Sequence, residues 1–180
     1  MNEKHLSKLL SLILRHKPET IGLTLDQNGW ANVEELLTCL ASSGNSTTID
    51  FLKEVVRNSD KQRFIFSEDG IKIRANQGHS IQVELGLVPM QPPEKLYHGT
   101  ATRFLESILQ AGLTSQSRTH VHLSSSIETA ISVGKRHGKP VVLEVDTKTM
   151  IEDGQQFFQS ENGVWLTTFV KPSYISVTQF

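Results

Sequence analysis

The sequence predicts an α+β protein of two lobes, a winged helix followed by a mixed α/β lobe. In the first half of the chain, the apolar period changes from that of amphipathic helices to the alternation of a β-hairpin. Residues 86–93 then hold three of the six prolines, so this stretch is neither a regular helix nor a central strand. We therefore predict a linker there, with domains at residues 1–88 and 94–180.

The first lobe is predicted to contain three amphipathic helices and a hairpin, the outline of a winged helix. The predicted elements are a helix over 6–14 that Pro18 ends, a helix over 33–40, a helix over 51–56 begun by 48–50, and strands over 63–66 and 71–74.

The second lobe alternates short strands with helices. The predicted strands are 96–98, 120–123, 141–145, 163–167 and 174–177. Thr102 is expected to cap a helix that Gly112 stops, and residues 125–128 fit a capping box for the next helix. The sequence has no Walker motif and no Gly-x-Gly-x-x-Gly after a strand, which argues against a P-loop or Rossmann site.

Composition limits the classes of function. Lys and Arg number 18 and Asp and Glu 19, so a polyanion would have to bind through a local cluster of cations. The single cysteine excludes an intramolecular disulfide and a cysteine-cluster metal site. No apolar run approaches the ~20 residues that cross a bilayer. We expect a cytoplasmic protein that does not bind membranes.

Arginine and histidine cluster at several points of the first lobe. Arg15, His16 and Lys17 end the first predicted helix, where they either complement the helix dipole or form an anion site. Alternation directs Arg63 away from the core-facing phenylalanines of its strand. Residues 74–80 form either a plain polar loop or a loop that approaches an anion through its glycine.

In the second lobe, residues 97–100 lie at a strand-to-loop junction, a common position for binding residues. His120 and His122 share one strand face, but no third ligand stands at a zinc-site spacing, so we expect no metal. Arg118 and Arg136 flank this strand and the next helix. A candidate site rich in arginine and histidine suits phosphate binding and transfer better than glycosidase or protease chemistry.

Six motifs in this order resemble the RNA 2′-phosphotransferase (Tpt1/KptA) family. They are Leu-Arg-His-Lys-Pro at 14–18, Lys-Gln-Arg-Phe at 61–64, Arg-Ala-Asn-Gln-Gly-His-Ser at 74–80, Tyr-His-Gly-Thr at 97–100, His-Val-His-Leu at 120–123 and Asn-Gly-Val-Trp-Leu-Thr at 162–167. The resemblance implies an N-terminal winged helix and a C-terminal lobe with an ADP-ribosyltransferase-like fold.

The resemblance also implies a reaction between NAD⁺ and an internal RNA 2′-phosphate of the kind that tRNA splicing leaves. The phosphate attacks C1″ of the nicotinamide ribose, nicotinamide leaves, and an ADP-ribosylated RNA phosphate results. The ribose 2″-hydroxyl then attacks that phosphorus. The products are RNA with a 2′-hydroxyl and ADP-ribose 1″,2″-cyclic phosphate.

By the same resemblance, the catalytic residues are Arg15, His16, Arg63 and Arg118, with Arg136 as the alternative to Arg118. The NAD-binding residues would be His98, Gly99, Thr100, His122 and Val164, the last standing where protein-modifying relatives of that fold place a glutamate. Further contacts to the substrate phosphate would come from Lys17, Gln77 and His79. His16 could serve as a proton-transfer group or as a phosphate donor.

The expected partners are 2′-phosphorylated RNA and NAD, with no obligate protein partner and a monomeric state. One alternative is an ADP-ribosyltransferase that modifies a terminal nucleic-acid phosphate or another acceptor. The other is a winged-helix DNA-binding regulator. It is disfavoured by the third helix, which offers only Lys53 and Arg57 beside Asp50 and Glu54.

Overall fold

The computed structural model describes residues 2–178 and divides the chain into two compact units, Met1–Gly86 and Leu87–Phe180. Helices and short antiparallel strands alternate along both units, so the α+β class is confirmed. No helix among residues 2–178 has the length and apolar character needed to cross a membrane.

The first unit contains the three predicted helices and the predicted hairpin. Its elements are α1 (Glu3–Arg15), β1 (Ala31–Asn32), α2 (Val33–Ser42), α3 (Ile49–Arg57), β2 (Phe64–Phe66) and β3 (Lys72–Ala75). Side chains of Asn2, Asn32 and Thr48 cap the three helices. Pro18 begins a 3-10 turn directly after α1, as its fixed backbone requires.

The sheet of the first unit has the order β1-β3-β2 and determines which side chains share a face. Phe64 and Ile73 are buried in a core that α1, α2 and α3 complete. Ile65 pairs with Arg74 in the β2–β3 ladder. Because side chains alternate along a strand, Arg63 lies on the same side as Ile65 and Arg74, opposite the core. The predicted outward direction of Arg63 is therefore consistent with the register.

The second unit contains more strands than the sequence predicts. Its elements are β4 (Lys95–Ala101), α4 (Thr102–Ala111), β5 (Leu113–Thr114), β6 (Val121–Leu123), α5 (Ile127–Gly134), β7 (Pro140–Asp146), α6 (Thr147–Glu152), β8 (Phe158–Gln159), β9 (Trp165–Thr167), β10 (Phe169–Val170) and β11 (Ile175–Val177). The two-residue strands β5, β8 and β10 and the six-residue helix α6 were not predicted, because such short segments show no apolar period.

Of the two helix starts predicted in the second unit, the cap of α4 was wrong, and that of α5 lies within the predicted residues 125–128 but on a different serine. Thr102 is the first residue of α4 and makes no capping bond; its N–H instead donates to the Lys139 carbonyl at 3.0 Å. The cap of α5 is Ser126, whose hydroxyl accepts from the Thr129 N–H, so the expected box of Ser125 and Glu128 does not form.

Two three-stranded sheets, β11-β7-β4 and β6-β9-β8, meet through a bridge between Tyr97 and Ser124. The bridge places β4 beside the end of β6, and β6 pairs with β9. Three strands that are distant in sequence are thereby adjacent at this point. The candidate residues of the second unit lie on these strands.

Gly99 on β4 has a packing role. A Cβ at this position would lie 1.8 Å from the carbonyl oxygen of Ala130 on α5. No side chain fits in that space without moving α5 away from the sheet. Packing therefore accounts for a glycine here whether or not a ligand binds nearby.

Candidate functional site

The first cluster of candidate residues lies at the end of α1. Arg15 is in the last turn and His16 is the C-cap, with its N–H donating to the Leu12 carbonyl at 3.0 Å. Both side chains are half-buried, whereas Lys17 is exposed. The helix end thus presents a half-buried arginine and a half-buried histidine, with an exposed lysine beside them.

The segment of residues 76–80 connects this helix end to the start of β2. The N–H of Ser80 donates to the Arg15 carbonyl at 2.9 Å, and the N–H of Asn76 donates to the Arg63 carbonyl at 3.0 Å. The hydroxyl of Ser80 lies 2.9 Å from Nδ1 of His16. The Arg15 guanidinium also donates to the Arg63 carbonyl, at 3.5 Å. The Arg63 carbonyl, 48 residues further along the chain than Arg15, therefore lies beside the Arg15 guanidinium, and residues 76–80 join Arg15, His16 and the Arg63 backbone into one cluster.

Aromatic rings support two guanidinium groups of this unit. The Arg15 guanidinium carbon lies 5.7 Å from the centre of the Phe64 ring, and that of Arg74 lies 4.5 Å from the Trp30 ring. These are cation–π contacts, which hold a charge in place without neutralising it. Sequence reasoning missed Trp30, because its contact with Arg74 arises only from the pairing of β1 with β3.

His79 is fully buried, and neither ring nitrogen has a hydrogen-bond partner among residues 2–178. Burial, together with the positive charges of Arg15, His16 and Arg74, lowers its pKa to about 4. His79 is therefore a neutral imidazole close to the positive charges of Arg15, His16 and Arg74. Gln77, two residues before it, is half-buried.

The lowered pKa of His79 predicts a pH dependence of stability. Above pH 6.5 the imidazole is neutral in both the folded and the unfolded chain, so it has no effect. As the pH falls from 6.5 to 4, the unfolded chain takes up a proton that the folded chain does not. The free energy of unfolding should then fall by up to about 3 kcal/mol through this group.

Urea unfolding of the wild type and of His79→Gln between pH 4 and 7 measures this contribution. Between pH 6.5 and 4 the free energy of unfolding of His79→Gln should fall less than that of the wild type. His5→Gln, which replaces an exposed histidine, should keep the wild-type pH dependence. Equal slopes for the wild type and His79→Gln would contradict the assignment.

In the second unit, His98, His122 and Arg118 form a connected group. Nδ1 of His98 donates to the His122 carbonyl at 3.0 Å, and an Arg118 Nη lies 2.9 Å from Nδ1 of His122. A guanidinium only donates, so Nδ1 of His122 accepts and the ring proton is on Nε2. His98 has the opposite tautomer, with Nε2 as an acceptor. Burial is the main cause that lowers the pKa of His98, which favours the neutral ring.

Thr100 and Val164, two further predicted residues of this unit, lie on or directly beside strands of its sheets. Thr100 is buried on β4, and Val164 is half-buried directly before β9. His122 pairs with Leu166 on β9, two residues after Val164. The bridge between β4 and the end of β6, together with the pairing of β6 with β9, therefore brings His98 and His122 onto adjacent strands, with Val164 directly before the third. Arg136 is exposed after α5, and its side chain makes no hydrogen bond or ion pair within the described part of the chain.

His120 does not join this group: it packs edge-on against Phe158, with ring centres 5.9 Å apart. Burial lowers its pKa. No group of three or more histidine, cysteine or carboxylate side chains is arranged to hold a metal ion among residues 2–178.

Comparison with known proteins assigns the chain to a family. The model of the family described as "RNA 2'-phosphotransferase, Tpt1 / KptA family" matches residues 1–169. The chain belongs to the Tpt1/KptA family of RNA 2′-phosphotransferases. Membership of the family that the six motifs indicate is thereby confirmed, and the family is one of transferases.

Relatives in this family are similar to the chain over nearly their whole length. A protein of Acaryochloris marina is 56% identical over 171 residues, which are 95% of this chain and 94% of that protein. Proteins of Pectobacterium carotovorum and Flavobacterium johnsoniae are each 54% identical, over 99% and 97% of this chain and 98% of either relative. Each is named "Probable RNA 2'-phosphotransferase".

Proposed function

We propose that the protein is an NAD-dependent RNA 2′-phosphotransferase that removes an internal 2′-phosphate, of the kind left by tRNA splicing. The observation that carries this proposal is the cluster of Arg15, His16 and Arg63, held together by residues 76–80. Guanidinium forks bind phosphate oxygens in pairs, which suits a phosphate monoester on RNA. Family membership supplies the RNA 2′-phosphate as the substrate that fits this cluster.

In the first step, the RNA 2′-phosphate attacks C1″ of the nicotinamide ribose and nicotinamide leaves. Arg15 and Arg63 are assigned to bind the phosphate and to hold its oxygens in place for the attack. The attacking phosphate is already an anion, so the step needs no general base. This agrees with an apolar residue, Val164, at the position where other enzymes of the proposed fold carry a glutamate.

In the second step, the ribose 2″-hydroxyl attacks the phosphorus and the RNA 2′-oxygen leaves. The products are 2′-hydroxyl RNA and ADP-ribose 1″,2″-cyclic phosphate. The guanidiniums stabilise the charge that develops on the phosphoryl group. A proton must leave the attacking hydroxyl and reach the departing oxygen, and we assign this transfer to the His16 imidazole. Lys17, Gln77 and the neutral His79 complete the surroundings of the phosphate.

NAD⁺ is assigned to the second unit, where it would supply an electrophilic ribose carbon and a leaving group. The tautomers of His98 and His122 fit this assignment, because one ring offers an acceptor and the other a donor, as a ribose diol requires. Gly99, Thr100 and Val164 are assigned to the same site. The Arg118 guanidinium contacts His122, and we assign it to the stabilisation of charge at this site. No metal is needed.

We further propose that the first unit is a winged helix and the second an ADP-ribosyltransferase-like fold. The order of three helices and a hairpin supports the former. The motifs of the second unit support the latter. Cytoplasmic location, a monomeric state and independence of a protein partner belong to the same proposal.

The test uses a short RNA with one internal 2′-phosphate, incubated with the purified protein with and without NAD⁺. Gel analysis follows the RNA, and mass spectrometry follows the small molecules. Loss of the phosphate only with NAD⁺, together with nicotinamide and ADP-ribose cyclic phosphate, supports the proposal. ADP-ribosylated RNA as the sole product would instead favour the alternative ADP-ribosyltransferase. If no NAD⁺ is consumed, the proposal fails and DNA binding becomes the next activity to test.

A further inference from the structure

Gln62 lies in the turn that precedes β2 and has a backbone conformation that residues other than glycine rarely adopt. Gln62 has a φ of +41°, in the left-handed region where a side chain clashes with the backbone. Such a conformation costs about 1 kcal/mol or more and persists only where neighbouring groups hold it. Because Gln62 directly precedes Arg63, the groups that hold this turn also set the direction in which Arg63 leaves the chain.

Asn76 is the residue that holds this turn from the β3 side. Its side chain is 5% exposed, and its Nδ2 donates to the Gln62 carbonyl at 2.5 Å. Its backbone N–H donates to the next carbonyl, that of Arg63, at 3.0 Å. From the other side, the Ser59 carbonyl accepts from the Gln62 N–H at 2.8 Å. The peptide groups of Gln62 and Arg63 are thus held between Asn76 and Ser59.

The Arg63 side chain depends on this support. It makes no hydrogen bond or ion pair with another side chain in the part of the chain that the structure describes, so its direction is set by its backbone. The Arg63 carbonyl also accepts from the Arg15 guanidinium at 3.5 Å. A displacement of this carbonyl would therefore alter both arginines that we assign to the phosphate.

We propose that Asn76 is a positioning residue of the phosphate site: its amide holds Gln62 in the left-handed conformation and thereby orients Arg63. This inference rests on the proposed function, since it assigns the purpose of the orientation to binding of the RNA 2′-phosphate. Asn76 is buried and need not touch the substrate.

The substitution that tests this is Asn76→Asp, which keeps the size of the side chain and replaces the NH₂ donor with an oxygen. An oxygen facing the Gln62 carbonyl repels it, so the turn should open. The matched control is Asn45→Asp, which removes the same kind of bond, from Nδ2 to the Ser43 carbonyl at 3.1 Å, in a loop of the same unit.

The first measurement is the affinity for RNA with one internal 2′-phosphate, without NAD⁺, in a double-mutant cycle with Arg63→Ala. Asn76→Asp should weaken binding about 10-fold or more, since small misplacements of binding groups have large effects. In the Arg63→Ala background the same change should have a clearly smaller effect, because the Arg63 side chain is absent and only the contact of the residue 63 carbonyl with Arg15 can still be disturbed. Equal losses in both backgrounds would overturn the inference.

The second measurement does not depend on RNA. Hydrogen exchange of the backbone amides over residues 59–66 should accelerate in Asn76→Asp and remain unchanged in Asn45→Asp. If exchange over this segment is unchanged in Asn76→Asp, the inference is wrong. If exchange accelerates but the wild type binds 2′-phosphorylated and 2′-hydroxyl RNA equally, Asn76 still holds the turn and it is the proposed function that fails.

Discussion

Replacing Arg15 or Arg63 with alanine is expected to reduce kcat/KM for removal of an RNA 2′-phosphate by about 10³-fold each. Each substitution removes a guanidinium that binds the phosphate in the ground state and stabilises the charge of the transferring group in the transition state. The effects should not add in the double variant, because both guanidiniums are assigned to the same phosphate and act on it as a unit.

The measurement is the rate of phosphate loss from a short 2′-phosphorylated RNA at limiting substrate concentration. Arg57→Ala is the matched control, because Arg57 is an exposed arginine in the last turn of α3 in the same unit. It should retain nearly full activity. Circular dichroism should show that Arg15→Ala folds despite its lost contact with Phe64. Losses below about 10-fold would remove these arginines from the phosphate site.

Arg118→Ala is expected to lower the rate of nicotinamide release by about 10²- to 10³-fold, whereas Arg136→Ala should change it less than about 3-fold. The contact of the Arg118 guanidinium with Nδ1 of His122 ties it to the two histidines assigned to NAD. Arg136 is exposed and has no comparable contact among the described residues. The sequence alone does not decide between Arg118 and Arg136, and we propose Arg118 because of its contact with His122.

Nicotinamide release by each variant, measured with saturating 2′-phosphorylated RNA, distinguishes the two arginines. Arg118→Lys adds information, since a lysine keeps the charge but has no planar fork. It should recover only part of the lost rate. A large effect of Arg136→Ala together with a small effect of Arg118→Ala would reverse the assignment.

Most helices and longer strands followed from the sequence because each shows a local pattern. The face of α1 formed by Leu6, Leu10 and Ile13 is buried, as its period predicts, and Pro18 lies at its end. The caps of α4 and α5 did not follow, because the Lys139 carbonyl and the choice between adjacent serines depend on packing. The short strands β1, β5, β8 and β10 could not be predicted, since two residues carry no period.

The residues of the candidate site were named from motifs, but their arrangement was not. The motifs do not show that Ser80 contacts His16 and the Arg15 carbonyl, or that Asn76 holds the turn before Arg63. Nor do they show that His79 is enclosed and neutral. Each of these is a contact between segments that are distant in sequence.

The sequence by itself determined the α+β class, the positions of the longer elements and, through six ordered motifs, the family. These depend on residue type and on spacing along the chain, which local periodicity and backbone preference express directly. Only the tertiary structure decided which cations lie together, which tautomers His98 and His122 take, and why Gly99 has no side chain. Those properties depend on distances between segments that are brought together when strands pair and a helix packs on them.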